Sequence, residues 1–322
     1  MKRKNNLYSN LYNIENIIKA FNEVCKNTKN KRKVNNYKSY KCIHISRIYN
    51  TLKNKEYKVG KYNVFTIYEP KKRRIVSQNL FDKTINHLVS RYILIPALMP
   101  CLIDQNVASR KEMGTLKALE YFNKYRNICN YKYKNYYVLK CDIKGFFYNI
   151  NHDILKEKLI KRIKDADALN IIFRIIDSEE TGIPIGNMTS QILAVFYLND
   201  MDHFIKEKLK IKYYVRYQDD FILFHKSKEY LKMCFEEIIK FLDKEKLELN
   251  KKSRIYKNTN KFIYLGRNLK GKYTKYREVT RKLKKRLYLY ENKEINIMSL
   301  TNTIMCYKYM YPNRLHKKDI KT

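Results

Sequence analysis

Two aspartates, Asp219 and Asp220, stand side by side between two runs of strand-forming residues in YYVRYQDDFILFH, residues 213–225. Adjacent carboxylates in an apolar setting repel each other and lose hydration, so something must compensate them. A tight turn open to water would do so, and so would divalent cations held for catalysis. A third carboxylate bears on the choice: Asp142 ends the apolar run of YYVLKCDIKGFF. If that strand lies beside the hairpin carrying Asp219 and Asp220, three carboxylates meet at one sheet edge. Such a cluster suits two hard cations, which take oxygen ligands and can sit roughly 3.5–4 Å apart. One would lower the pKa of an attacking hydroxyl, and the other would hold a triphosphate and stabilise the leaving oxygen. Read singly, each feature is ordinary, since a DD pair is common in turns and an aspartate after a strand can cap the next helix.

The elements that must position these residues are legible from periodicity. Ser9 is placed to cap a helix carrying Leu11, Ile14, Ile18, Phe21 and Cys25 on one face, and the basic stretch KNTKNKRKVNNYK that follows reads as an exposed loop. EYKVGKYNVFTIYEPKKRRIVSQ reads as two short strands around a Gly turn, ending in a basic cluster. Helical spacing marks residues 80–96, 154–163 and 168–176, and GIPIGNMTSQ is a Gly-rich loop leading into a further helix. After the aspartate hairpin come the helix KEYLKMCFEEIIKFLDKEKL, the short strand FIYLGRNL with its Gly turn, and TRKLKKRLYLY. In the last of these Leu283 and Leu287 share a helical face flanked by Lys282, Lys284, Lys285 and Arg286. Strands and helices alternate irregularly, which gives α+β layering rather than a doubly wound sheet.

Composition narrows the partner. The 322 residues are 44% hydrophobic, enough for a folded core, yet 69 Lys and Arg face only 31 Asp and Glu, a formal net charge of +38. Self-repulsion on that scale calls for a polyanion, and nucleic acid fits because each neutralised phosphate releases counterions. Thirty tyrosines add faces on which bases can stack. The seven cysteines are scattered without C-x-x-C spacing, which gives no support to a zinc ribbon or redox motif, and their odd count points to a reducing cytoplasm. MKRKNNLYSNLYN lacks the apolar core of a signal peptide, and RYILIPALMPCLI is too short to cross a bilayer, so no membrane is expected.

Taken together, YQDD between apolar strands, CDIKGFFYNINHDIL, GIPIGNMTSQILAVFYLNDMD, KKRRI, YLGR and DQNVASRKEMGTLKAL resemble, in order and spacing, the motifs of reverse transcriptases. The resemblance covers roughly residues 60–270. It implies a right-hand polymerase: an N-terminal helical and basic extension over 1–60, fingers over 61–135, a palm over 136–265 and a small helical thumb over 266–322. It implies addition of deoxynucleotides to a primer 3′-hydroxyl along an RNA template, with two Mg2+ ions, or Mn2+ in their place. Asp142, Asp219 and Asp220 would be the metal ligands, Asp220 in a supporting role, and the Ile143 carbonyl a further ligand. Lys71 and Arg73 match the K-x-R-x-I pattern whose cations clamp the incoming triphosphate, with Lys72 or Arg74 serving if the register slips by one. Phe147, five residues after Asp142, would stack under the deoxyribose and exclude a 2′-hydroxyl, although as a residue it also reads as a core aromatic. Lys282, Lys284, Lys285 and Arg286 would track the RNA/DNA duplex backbone.

One departure from the commonest motif is informative. Many prokaryotic reverse transcriptases carry P-Q-G in the middle loop, whereas here Pro184, Ile185 and Gly186 are followed by Ser190 and Gln191. This I-G-x-x-x-S-Q form resembles the reverse transcriptases of diversity-generating retroelements, whose loop is associated with error-prone copying at template adenines. An apolar Ile185 where a Gln could hydrogen-bond would police base geometry less strictly, so Ile185, Gly186 and Gln191 are the nucleotide-binding candidates. The group implies a structured template-repeat RNA and a separate basic accessory protein. With the short stretch after YLGR no RNase H or integrase domain is expected, and an N-A-x-x-H segment of the retron type is not found in these 322 residues. The rival expectations are a standalone phage-defence reverse transcriptase and a non-catalytic RNA-binding protein on a polymerase fold. His152 reads as a residue capping or packing a palm helix, and Cys141 as a core residue on the strand face opposite Asp142.

Overall fold

The computed structural model describes residues 3–67, 73–260, 262–265, 267–268 and 276–310. Internal contacts divide the chain into a larger unit, Met1–Phe65 with Ile75–Asn260, and a smaller one, Thr66–Arg74 with Lys261–Thr322.

In the larger unit a 3-10 turn at Tyr8–Tyr12 precedes α1 (Ile14–Asn27), α2 (Lys31–Ser39) and α3 (Lys41–Lys53). The cap of α1 is Asn13, whose side chain accepts the Asn16 N–H, rather than the expected Ser9. The basic stretch expected to be a loop instead folds as α2. Asn30 caps it by accepting the Lys33 N–H at 3.0 Å, and Val34 and Tyr37, one turn apart, are buried while the lysines stay in water. Strands β1 (Asn63–Ile67) and β2 (Arg73–Ser77) pair as expected, but Gly60 lies before β1 and not in the turn between them. Its backbone N–H bonds the Asp82 carboxyl, and a Cβ at Gly60 would fall 2.6 Å from Asp82 Oδ2. The glycine therefore serves close approach.

Helix α4 (Leu80–Val89) runs through a wider π-helical turn at Ser90–Leu94 into α5 (Ile95–Leu98), followed by α6 (Thr115–Lys132). Strand β3 (Tyr137–Asp142) then enters the main sheet, and α7 (Phe146–Asn149), α8 (His152–Ile160), α9 (Ala166–Ile176), α10 (Met188–Tyr197) and α11 (Asn199–His203) follow. Strands β4 (Tyr213–Tyr217) and β5 (Asp220–His225), α12 (Lys228–Lys244) and β6 (Arg254–Lys257) complete the unit. The sheet order is β4-β5-β3-β6, antiparallel throughout. Its two faces bury different residues, as the two-residue period of a strand requires. Leu139, Cys141, Phe221 and Leu223 join Leu231, Cys234 and Ile238 of α12 in the main core. On the other face Phe224 packs against Phe122 of α6, with ring centroids 5.9 Å apart. Fully burying each such side chain stabilises the fold by about 1.5–3 kcal/mol. Helix α10 is buried on almost every side, Gln191 being its exposed residue.

The smaller unit contains β7 (Ile263–Tyr264) paired with β8 (Arg267–Asn268), and α13 (Tyr276–Glu291) packed on α14 (Ile297–Met310). Leu283 and Leu300 are buried there. Among the described residues, no helix is long and apolar enough to cross a membrane.

Candidate active site

The register of β3 on β5 puts Asp142 directly opposite Asp220, and Asp219 occupies the turn that joins β4 to β5. Opposed residues in an antiparallel pair project to the same face, so the two carboxylates share one surface. The Ile143 N–H donates to the Asp219 carbonyl at 3.2 Å, tying the segment after Asp142 to the turn. On the other side the Asn250 N–H donates to the Asp142 carbonyl at 2.7 Å, and Lys144 N–H to Glu248 at 2.9 Å. The backbone under Asp142 is thus pinned from both sides, which holds its side chain in place.

Asp220 is mostly buried, and its Oδ1 has no hydrogen-bond partner among the described residues. Burial, reinforced by Asp142 and Asp219, raises its pKa to about 7, although Lys140 pulls the other way with its Nζ 3.8 Å from Asp220 Oδ2. An unpartnered buried carboxylate oxygen beside two more carboxyl groups is the donor set a hard cation satisfies. Among the described residues, no three carboxylate, imidazole or thiol groups converge tightly enough to hold a metal by themselves. Cys141 is fully buried on the opposite face, where burial pushes its thiol far above the ordinary range and leaves it unreactive.

Beneath the turn lies a buried ionic network that the sequence reading missed. Arg216 and Asp202 are both fully buried and paired at 2.6 Å. Asp202 also accepts Tyr214 Oη at 2.6 Å and Asn106 Nδ2 at 3.0 Å, while Arg216 donates to the Val195 carbonyl at 3.0 Å and the Gln218 carbonyl at 2.9 Å. Burial alone would lower the Arg216 pKa, but Asp202 and Tyr214 outweigh it and the guanidinium stays charged. Segment 105–107 runs along β4, its Val107 N–H donating to the Arg216 carbonyl, and Gln218 reaches Ser109 Oγ at 3.0 Å. Gln218 itself sits at φ 57, the left-handed conformation that turns the chain ahead of Asp219. The signal was an arginine inside an otherwise apolar strand and an aspartate inside a buried helix.

The middle loop is fixed by two close approaches. Gly182, at φ 67, lies so near the Phe147 carbonyl and Tyr148 that a Cβ has no room, and the Ile183 N–H donates to the Phe147 carbonyl at 2.9 Å. Gly186, at φ 128, would bring a Cβ within 2.6 Å of the Val76 carbonyl, and the Val76 N–H donates to the Ile185 carbonyl at 3.1 Å. The loop therefore links Phe147 on one side with β2 on the other. Ile185 is half-buried, Phe147 is packed against the core, and Gln191 is exposed at the start of α10. His152 opens α8 and reaches the Gly182 carbonyl and Asp177, a packing role.

Arg73 is the first residue of β2, exposed, and groups with the smaller unit; Lys71 and Lys72 lie outside the described residues. Lys284 and Lys285 are exposed on α13 with Arg286 half-exposed, and the side chain of Lys282 lies outside the described residues.

An antiparallel sheet presenting paired aspartates at a hairpin turn, with helices packed on its faces, defines the palm of a template-directed polymerase. The family model described as reverse transcriptase (RNA-dependent DNA polymerase) matches residues 26–269, and the chain belongs to that family. It is 25% identical to Protein YkfC of Escherichia coli (strain K12), across 44% of this chain and 49% of that protein. Among solved structures it resembles telomerase from Candida tropicalis in complex with a TWJ fragment of telomeric RNA, with TM-score 0.51, 15% identity, and coverage of 77% of this chain and 52% of that one. The Candida albicans telomerase complex matches with TM-score 0.50, 14% identity, and coverage of 67% and 45%. The chain spans about half the length of these relatives, and the structural likeness establishes the fold, an α+β right-hand polymerase.

Proposed function

We propose that this chain extends a primer 3′-hydroxyl along an RNA template and does so with low fidelity, as the reverse transcriptase of a diversity-generating retroelement. The observation that carries the polymerase reading is the Asp142–Asp220 register with Asp219 in the adjoining turn. Asp142, Asp219, Asp220 and the Ile143 carbonyl would hold two Mg2+ ions, or Mn2+. When bound, these ions neutralise charge on the transferring phosphoryl group and acidify the attacking hydroxyl.

The remaining roles belong to the chain itself. Residues 61–135 act as fingers, 136–265 as palm, 266–322 as thumb, and 1–60 as a basic extension. Lys71 and Arg73 stabilise the triphosphate as its charge shifts. Phe147, whose carbonyl accepts the Ile183 N–H, stacks under the sugar and rejects a 2′-hydroxyl. Ile185 has its carbonyl committed to β2, which fixes an apolar side chain where a glutamine would read the base, and Gly186 and Gln191 complete that surface. Lys282, Lys284, Lys285 and Arg286 run along the duplex. A template-repeat RNA and a basic accessory protein are the expected partners.

The test is primer extension on an RNA template with Mg2+ and all four dNTPs, wild type against Asp219→Asn, with the cDNA sequenced. Extension by wild type alone, with errors concentrated at template adenines, is expected. An even, low error rate would move the assignment to a phage-defence enzyme. Silence even with the cognate RNA and accessory protein would leave a non-catalytic RNA-binding scaffold.

A further inference from the structure

A cavity of about 640 Å³ opens on the larger unit, between α2 and α3 on one side and β1, the end of β2 and the start of α4 on the other. It shares no residue with the carboxylate site. Lys33, Arg47 and Lys83 line it, and no Asp or Glu is among its described lining residues. Burial, and then the nearby Lys33, pull the Lys83 pKa down. Like charges held together in a partly dry cleft are relieved when an anion enters. Helix α2 begins here behind Asn30, so the positive end of its dipole adds to the field, whereas the first turn of α4 holds Asp82 against Asn79.

The walls carry a second kind of chemistry. Phe65 is half-exposed at the opening. Phe81 has the Arg47 guanidinium 5.0 Å over its ring. His44 ends a column of rings, Phe21–Tyr37–His44, with successive centroids 4.5 and 4.3 Å apart. Its Nδ1 is buried and without a hydrogen-bond partner among the described residues, and burial with the nearby Arg47 keeps the imidazole neutral. The amides of Asn36 and Asn63, both in the lining, offer both donors and acceptors to a base edge. The volume is that of a small-ligand site, and cations beside aromatic faces and amide edges match a phosphate joined to a flat heterocycle.

We propose that this cavity binds a nucleotide of a single-stranded nucleic acid, with its phosphate against Lys33 and Lys83 and its base among His44, Phe65 and Phe81. The site is independent of polymerase chemistry, so it is tested in EDTA on the full chain. A short oligouridylate carrying thiouridine is photo-crosslinked and the attached peptides are mapped by mass spectrometry. Crosslinks are expected at His44, Phe65 or Phe81. Lys33→Glu with Lys83→Glu should lower their yield about tenfold, while Lys232→Glu with Lys240→Glu, exposed on α12, should change it by less than about twofold, whereas attraction that merely follows total charge would make the two losses equal. His44→Ala should lower the yield without changing net charge, and circular dichroism checks that each variant is folded. Equal losses from the two charge-reversed pairs, or crosslinks only elsewhere, would overturn the site. Competition by free UMP as strong as by the oligonucleotide would overturn its assignment to a strand.

Discussion

At the residue scale the carboxylates work against the fold, and the cost is measurable. Asp220 has a native pKa of about 7, above the ordinary value of 3.8, because it is buried beside Asp142 and Asp219. The native state therefore binds this proton more tightly than the unfolded chain does. The stability it contributes is fully present below pH about 4 and is lost as pH rises through about 7. Asp220→Asn should consequently stabilise the metal-free protein little at pH 4 and by up to about 4 kcal/mol at pH 8. Urea denaturation in EDTA at the two pH values measures this, and saturating Mg2+ should shrink the difference at pH 8. An equal gain at both pH values would show that Asp220 is not the titrating group. These aspartates were legible because an acid between apolar alternating residues stands out locally. Lys140 was not read as part of the site, since only the β3–β5 register reveals that it lies diagonally beside Asp220 on the same sheet face.

Elements hold the aspartates through contacts between residues far apart in sequence, which is where sequence reading stops. A strand arginine such as Arg216 reads as a surface residue until Asp202, Tyr214 and Asn106 are seen around it. The charge of α2 outweighed the two buried residues that make it a helix, and the glycine ahead of β1 was taken for a turn because Asp82 lies in another element. The network carries its own prediction. Arg216→Met leaves Asp202 buried and uncompensated and should destabilise the fold by about 3–5 kcal/mol. Adding Asp202→Leu should recover a large part of that loss but not primer extension, because the Gln218 carbonyl would still lack the donor that fixes the turn. A double variant with full activity would reduce the network to packing. The middle loop gives a second prediction at this scale. Gly186→Ala must either leave φ 128 or push away the Val76 carbonyl, so hydrogen exchange at Val76 should rise together with the KM for dNTP. A Gly186→Ala protein with unchanged exchange at Val76 would mean that the loop docks without the glycine.

For the whole molecule the question is how a net charge of +38 is spent. Composition alone cannot separate a face that tracks nucleic acid from lysines that merely keep a surface in water. Helix α13 allows the two to be told apart, because Leu283 is buried while Lys284 and Lys285 stand exposed and Arg286 half-exposed. If these three cations contact phosphates, each releases condensed counterions when the duplex binds. Replacing all three by Gln should then make the slope of log K against log salt shallower by about 2–3, at about 0.9 per lost contact. Fluorescence anisotropy with an RNA/DNA hybrid, between roughly 50 and 200 mM salt, reads the slope directly. Extension at saturating duplex should be retained, since none of the three is placed in the chemistry. Three neutralised lysines on α12 would lower affinity through the general field but leave the slope nearly unchanged. The slope, more than the affinity, therefore distinguishes a thumb helix on the duplex from a solvated one.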